Sequence, residues 1–187
     1  MVAEITSAVK AATLRNHQRD YFARDIAEAQ IILPSKDFYQ QFDIYATFPR
    51  FRAIKWLRKY DPVGQDPLSL ANTGAAGVFF KILDPDNVID GYGIHKPNIA
   101  YIAGRNLNLR SDTALQFLLA GWYQNPLILS TNYSSWIAEQ CPYAIIFDAV
   151  SLIFQTLGFQ DQSRKYDALC AEQFHMVTMT GLDAKGY

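Results

Sequence analysis

The sequence predicts an α+β chain that is mainly helical, with an N-terminal helix and two C-terminal helices around a central β-hairpin and strand region. Three features predict this. Apolar residues recur at helical spacing before Pro34 and again after Thr131. Aromatic and β-branched side chains crowd together between residues 37 and 126. Glycine, proline and small polar residues cut that middle region into short lengths, as turns and loops require. Residues 1–180 read as a single domain and 178–187 as a C-terminal tail.

Residues 1–33 read as one helix, with Thr6 or Ser7 as its N-cap and Pro34, which cannot continue the ladder, as its stop. Ile5, Val9 and Ala12 share one stripe, and Phe22, Ile26, Ala29 and Leu33 share another. Arg15, Asn16, Arg19 and Asp20 interrupt the face between them, so the helix is either broken near its middle or met by polar neighbours. Phe38, Phe42, Ile44 and Tyr45, then Ile54, Trp56 and Tyr60, predict strands over residues 37–60. Residues 61–77 hold two prolines and three glycines and read as a long loop. A short strand over 78–83 ends at Asp84-Pro85-Asp86-Asn87. Residues 99–103 and 107–109 form a hairpin hinged at Gly104-Arg105-Asn106, and a further strand over 114–123 ends at Asn125-Pro126. A short helical turn over 134–140 precedes Pro142 at the first helical position. The stripe Ile145, Ile146, Ala149, Leu152, Ile153 and Leu157 then runs to Gly158, a natural helix stop. Asp161 or Ser163 opens the last helix, whose stripe is Tyr166, Leu169, Cys170, Phe174 and Val177.

Composition excludes several classes. With 17 basic and 18 acidic side chains in 187 residues the net charge is −1, which removes a globally basic nucleic-acid binder and an acidic tail. The longest clean apolar run, 142–147, is far below the roughly 20 residues needed to cross a bilayer, so no membrane span is expected. Residues 1–10 lack the apolar stretch and cleavage site of a signal peptide, and synthesis inside the cell is the expectation. Cys141 and Cys170 stand far apart and read as buried free thiols. Aromatic residues make up 14% and charged residues 19% against a usual charged share of about 25%, a balance that suits interfaces between subunits. If the aromatic excess serves neighbours, several of Phe38, Tyr45, Trp56, Trp122, Tyr123, Trp136 and Phe174 will be exposed.

No catalytic or cofactor pattern is found. Gly-Lys-Ser and Gly-Lys-Thr are absent, as is Gly-x-Ser-x-Gly. His17 and His95 have no second His or Cys three to five residues away, and His175 has only Cys170, too few for a metal site, so no metal, cofactor or catalytic residue is expected. Gly91-Tyr92-Gly93 reads as a turn rather than a dinucleotide loop. Asp84, Asp86 and Asp90 could gather round a cation, or an unrecognised enzyme could use Asp84, Asp86 or His95, but Pro85-Asp86-Asn87 is also an ordinary turn sequence. Arg50, Arg52, Lys55, Arg58 and Lys59, interleaved with Phe51, Trp56 and Tyr60, form the one local charge concentration. Basic groups among aromatics can bind single-stranded nucleic acid, and this is the alternative function; the same residues also describe a half-buried strand with a basic outer face, Lys55 and Lys59 opposite Ile54, Trp56 and Tyr60.

The C-terminal half carries a family resemblance. Tyr101-Ile102-Ala103-Gly104-Arg105-Asn106-Leu107-Asn108-Leu109 is followed by Gly121-Trp122-Tyr123-Gln124-Asn125-Pro126. Then come Asn132-Tyr133-Ser134-Ser135-Trp136-Ile137-Ala138-Glu139-Gln140-Cys141-Pro142-Tyr143 and a long apolar helix. This order, over about 80 residues, resembles the head-to-tail adaptor (neck, or connector) proteins of tailed bacteriophages, where a Tyr-Tyr-x-x-Pro strand end precedes a Trp-Leu-x-x-x-x-Pro helix start and two closing helices. Ile32-Leu33-Pro34 to Phe38 matches the family more loosely. Residues 61–77 are longer than the family's usual loop, and the N-terminal helix lacks the family's turn and second helix.

The resemblance implies a small helical bundle carrying β-hairpins, and a non-enzymatic ring of identical subunits, twelve in number, that joins the portal protein to a tail or nozzle protein. Double-stranded DNA would pass through the ring, and the protein would reside in the neck of the virion after assembly in the host cytoplasm. On this reading Phe174, Met176, Val177, Met179, Leu182 and Tyr187 are candidates for docking on the portal. Arg50, Arg52, Lys55, Arg58 and Lys59 are candidates for facing DNA or a partner. Arg15, Arg19, Trp56, Trp122 and Trp136 are candidates for the contact between subunits.

Overall fold

The computed structural model describes residues 2–60, 78–86, 98–128 and 133–183. The chain divides into two compact units. A helical unit is made from Met1–Asp25 and Asn125–Tyr187, and a sheet unit from Ile26–Gln124 between them. The loop 61–77, Gly91-Tyr92-Gly93, Asp90, His95, the Leu182 side chain and Tyr187 lie outside the described residues.

In the sheet unit β1 (Ile26–Asp43) leads through a one-turn helix α2 (Ile44–Thr47) into β2 (Phe51–Tyr60), β3 (Lys81–Leu83), β4 (Ile99–Ala103) and β5 (Asn106–Gln124). The long β5 is the centre of the sheet. Antiparallel β1 lies along one of its edges, from Ile26 opposite Tyr123 to Asp43 opposite Asn106. The other edge is shared: β4 pairs with its first five residues and β2 with Phe117 to Gln124. β3 runs parallel to β4, and the residues before it extend over β2, where Phe80 N–H donates to Leu57 O at 2.9 Å and Lys59 N–H to Val78 O at 3.0 Å. Gly104 turns β4 into β5 with φ of 61°, a left-handed backbone that glycine adopts without cost. Leu33, Phe42, Phe48, Leu57, Leu107, Leu118 and Trp122 meet in the core of this unit.

In the helical unit α1 (Val2–Gln18) is followed by a 3-10 turn (Ala23–Asp25). After β5 a small ribbon, β6 (Leu127–Ile128) with β7 (Tyr133–Ser134), leads to α3 (Trp136–Gln140), α4 (Pro142–Thr156) and α5 (Gln160–Asp183). Pro142 stands at the start of α4, and Gly158, with φ of 82°, ends it. Ala12 and Phe22 pack with Ile137, Ala144, Ile145, Ala149 and Val177.

Several expectations are corrected. The fold is not mainly helical: about 40% of the described residues are strand against 46% helix, with a five-stranded mixed sheet. The helix expected over residues 1–33 ends at Gln18, because Ala27, Ala29, Ile31 and Leu33 alternate inward on β1 and pair with β5. Pro34 falls where the β1–β5 register shifts between Ile32 and Asp37, a place where its missing N–H breaks no ladder bond. Ile44 and Tyr45 belong to α2, capped by Asp43, whose carboxylate accepts from Tyr45 N at 2.8 Å and Ala46 N at 3.1 Å. The two strands expected over 107–109 and 114–123 are one. The tail expected from Thr178 continues α5 as far as Asp183.

One close contact fixes the β2–β5 pairing. Trp56 lies opposite Gly121, and a Cβ on Gly121 would fall inside the Trp56 indole. Gly121→Ala will therefore destabilise the protein by about 1–3 kcal/mol in denaturant titration. Trp56→Leu placed on top of it will return part of the loss; no loss in Gly121→Ala would refute the close fit.

Candidate assembly surfaces and the polar network beneath them

The surfaces of the helical unit rest on buried polar groups. Asp148 is the only charged residue on α4 and is wholly buried. It accepts hydrogen bonds from Arg15 Nε at 3.0 Å, from Arg15 Nη2, and from Asn16 Nδ2 at 2.9 Å, while Arg19 Nη2 lies 3.7 Å away. Arg15 and Asn16 sit one after the other on α1, so a single turn supplies both the charge and the neutral donor. Burial pushes the Asp148 carboxyl above its ordinary range, and Arg15 and Arg19 pull it back. Ser151 extends the network, donating to Asp167 at 2.7 Å. Cys170 lies beside it, 3.4 Å from Ala144 O, and its thiol is pushed up by burial and then by Asp148, which makes it unreactive.

A second cluster joins both ends of the unit. His17 Nδ1 lies 3.1 and 3.0 Å from the two Asp25 oxygens, and His17 Nε2 lies 2.8 Å from Ser135 Oγ. Trp136 Nε1 donates to Asp25 at 2.8 Å. The order Ser135, His17, Asp25 has the connectivity of an activated serine. Here Ser135 is 4% exposed, His17 2% and Asp25 9%, and the hydroxyl is also the N-cap of α3, accepting from Ala138 N. With both ring nitrogens of His17 engaged, Nδ1 with Asp25 and Nε2 with Ser135, the cluster works as a clamp between α1, the 3-10 turn and α3. Sequence spacing gives no hint of it, since Ser135 is more than a hundred residues from His17; a serine just ahead of an apolar helix start is its one local signal.

The sequence candidates are distributed as follows. Trp122 is core, with its indole N–H donating to Pro49 O at 3.2 Å, and so cannot reach another subunit. Arg15 and Arg19 are committed to Asp148 inside the chain, Trp136 to the clamp, and Trp56 is half-buried over Gly121. Val177 is fully buried and Phe174 packs against the helical core, which leaves Met176 and Met179 as the exposed members of the portal set among the described residues. The basic strand does not present one face. A bulge between Ile54 and Trp56 shifts the alternation, and Lys59 turns inward, 3% exposed, to pair with Asp112. Lys55 lies over the Tyr123 ring and Arg58 over Phe79, and Arg50 donates to Gln124. Asp84 and Asp86 share a turn, Asp86 N–H donating to Asp84 at 3.1 Å. Of the seven aromatics expected at interfaces, Phe38 and Tyr45 are exposed, Trp122 is buried and the other four are partly buried.

Further large apolar side chains are exposed beside these. The sheet unit shows Ile32, Phe38, Tyr39 and Tyr45. The helical unit shows Val2, Ile5, Tyr143, Ile146, Leu157 and Phe159, most of them on or beside α4. Among the described residues no helix is long and apolar enough to cross a membrane. Neither protein-family models nor curated proteins yield a match to this chain.

Removing Arg15 tests the network. In Arg15→Met the buried Asp148 loses its main partner, and stability at about pH 7 will fall by about 2–4 kcal/mol. Because burial raises the folded pKa of Asp148 above its unfolded value, its unfavourable charge is absent below the ordinary carboxylate range and full once pH exceeds the raised value. Denaturant titrations will therefore show a smaller loss near about pH 4 than near about pH 7; a loss independent of pH would refute the assignment.

Proposed function

We propose that this protein is a structural component of the bacteriophage neck, forming a ring that joins the portal protein to the tail or nozzle and continues the DNA channel. The observation that carries the reading is the ordered match over about 80 residues. Tyr101 to Leu109 folds as the β4–β5 turn, Gly121 to Pro126 as the end of β5, and Ser135 to Pro142 as an N-capped helix start before two long closing helices. Exposed apolar side chains on both units supply surface for subunit and partner contacts. Met176 and Met179 near the end of α5 are the side chains assigned to the portal, methionine being suited to adaptable apolar contacts. Near-neutral net charge suits a channel that must let DNA slide, since each neutralised phosphate adds affinity.

Mixing the purified protein with its portal and imaging the product by electron microscopy tests this. A ring of density on the portal is expected, reduced by Met176→Glu with Met179→Glu. A portal that stays bare with the unsubstituted protein would overturn the proposal.

A further inference from the structure

The solvent face of α4 carries no charge. Its one ionisable group, Asp148, is buried, while Tyr143 is 58% exposed, Ile146 47%, and Leu157 just beyond the helix 62%. At about 100° per residue the helix presents two different flanks. Leu152, Ile153 and Thr156 with Leu157 turn toward α1, where they line a mainly apolar groove of about 420 Å³ with Glu4, Ser7 and the small side chains of Ala8 and Ala11. Tyr143, Phe147 and Phe154 fall within about 40° of one another on the far flank, with Ile146 and Val150 between the two. There they join a ladder of rings: Tyr143 to Phe147 at 5.7 Å, Phe147 to Tyr166 at 6.2 Å, Tyr166 stacked on Phe154 at 5.5 Å, and Phe154 to Phe159 at 6.2 Å. Tyr143 and Phe159, the ends of the ladder, project into solvent.

One helix thus has an apolar socket on one side and projecting aromatics on the other. We propose that the occupant of the socket is a second copy of this chain, which inserts Tyr143 or Phe159 of its ladder into the α1–α4 groove. A socket and a projection on opposite flanks of the same unit form a heterologous contact, which leaves each copy one free socket and one free ladder and so builds rings or filaments rather than closed pairs. α4 exposes no charge and the socket holds one, the carboxylate of Glu4, so the surface offers no cation to phosphates and a single acidic group to a charged protein surface. Its size agrees with a repeating contact. α4 is about 22 Å long, and with half of each neighbouring helix the face is about 22 Å wide, a flat projection of about 500 Å². That is near the 600 Å² a side of a weak specific interface and below that of an obligate dimer. The inference deepens the neck reading by naming the seam between subunits, but it is measured without a portal.

The experiment uses the full chain in sedimentation velocity from about 10 μM to about 1 mM, a range that brackets weak association. The unsubstituted protein will form concentration-dependent species larger than a dimer. Tyr143→Glu with Phe159→Glu removes the ladder ends, and Ala11→Trp fills the socket; all three positions are exposed, and circular dichroism melts check that each variant folds. Each variant alone will associate at least about tenfold more weakly. A one-to-one mixture will form a heterodimer and stop there, because only one intact socket and one intact ladder remain. An unsubstituted protein that stays monomeric throughout, variants that associate as it does, or a mixture that stays monomeric would each overturn the seam. A bare portal in the imaging experiment would overturn the neck reading and leave this result standing.

Discussion

The structure depends on the clamp formed by His17, Asp25, Ser135 and Trp136. The helical unit is made from two stretches of chain separated by the whole sheet unit, and Asp25 is the last residue before the chain leaves. Its carboxylate takes the imidazole of α1 and the indole of α3 together, so the end of the first stretch and the helix of the second are tied at one point. His17, Ser135 and Asp25 are buried, and a polar group left without its partner there would cost more than the hydrogen bond itself. The contacts between the two stretches, including those that satisfy Asp148 from Arg15 and Asn16, require them to lie side by side.

The sheet unit obeys a different constraint. β5 must satisfy both its edges, and it does so with one long partner on one side and two short ones on the other. The absence of a side chain at Gly121 lets Trp56 cross the strand there, and the bulge beside Trp56 turns Lys59 inward. A run of five basic residues that looks continuous in sequence is therefore divided between core and surface by one irregularity in the ladder.

The legible parts of the fold were those with local causes. Gly104 at the hairpin, Pro142 at the start of α4 and Gly158 after its end each act through their own backbone, and the elements they bound lie where the sequence predicts them. β1 was hidden because Ala27, Glu28, Ala29 and Gln30 favour helix, and because Phe22, Ile26, Ala29 and Leu33 fall at helical intervals; pairing with β5, almost ninety residues later, overrides that preference. The alternation of Ala27, Ala29, Ile31 and Leu33 was present but written in small residues. Of the polar network, Arg15, Asn16 and Arg19 stood out as an interruption of the N-terminal apolar face that polar neighbours could meet, whereas nothing in the stripe around Asp148 marked it as their partner. Exposure of Ile146, Leu157 and Phe159 could not be read, since periodicity alone does not separate an apolar face that is covered from one that is bare.

The discontinuous helical unit has a consequence for how the chain is made. Arg15 and Asp148 are 133 positions apart, and His17 and Ser135 are 118 apart. During synthesis α1 emerges first and waits, its apolar stripe uncovered, until the entire sheet unit and most of the remaining helices have been added. Contacts of such long sequence separation carry a large loop-closure cost and slow the final step of folding. A chain stalled or cut after β5 would hold a finished sheet and an orphaned helix, the kind of half-built species that chaperones hold and proteases remove.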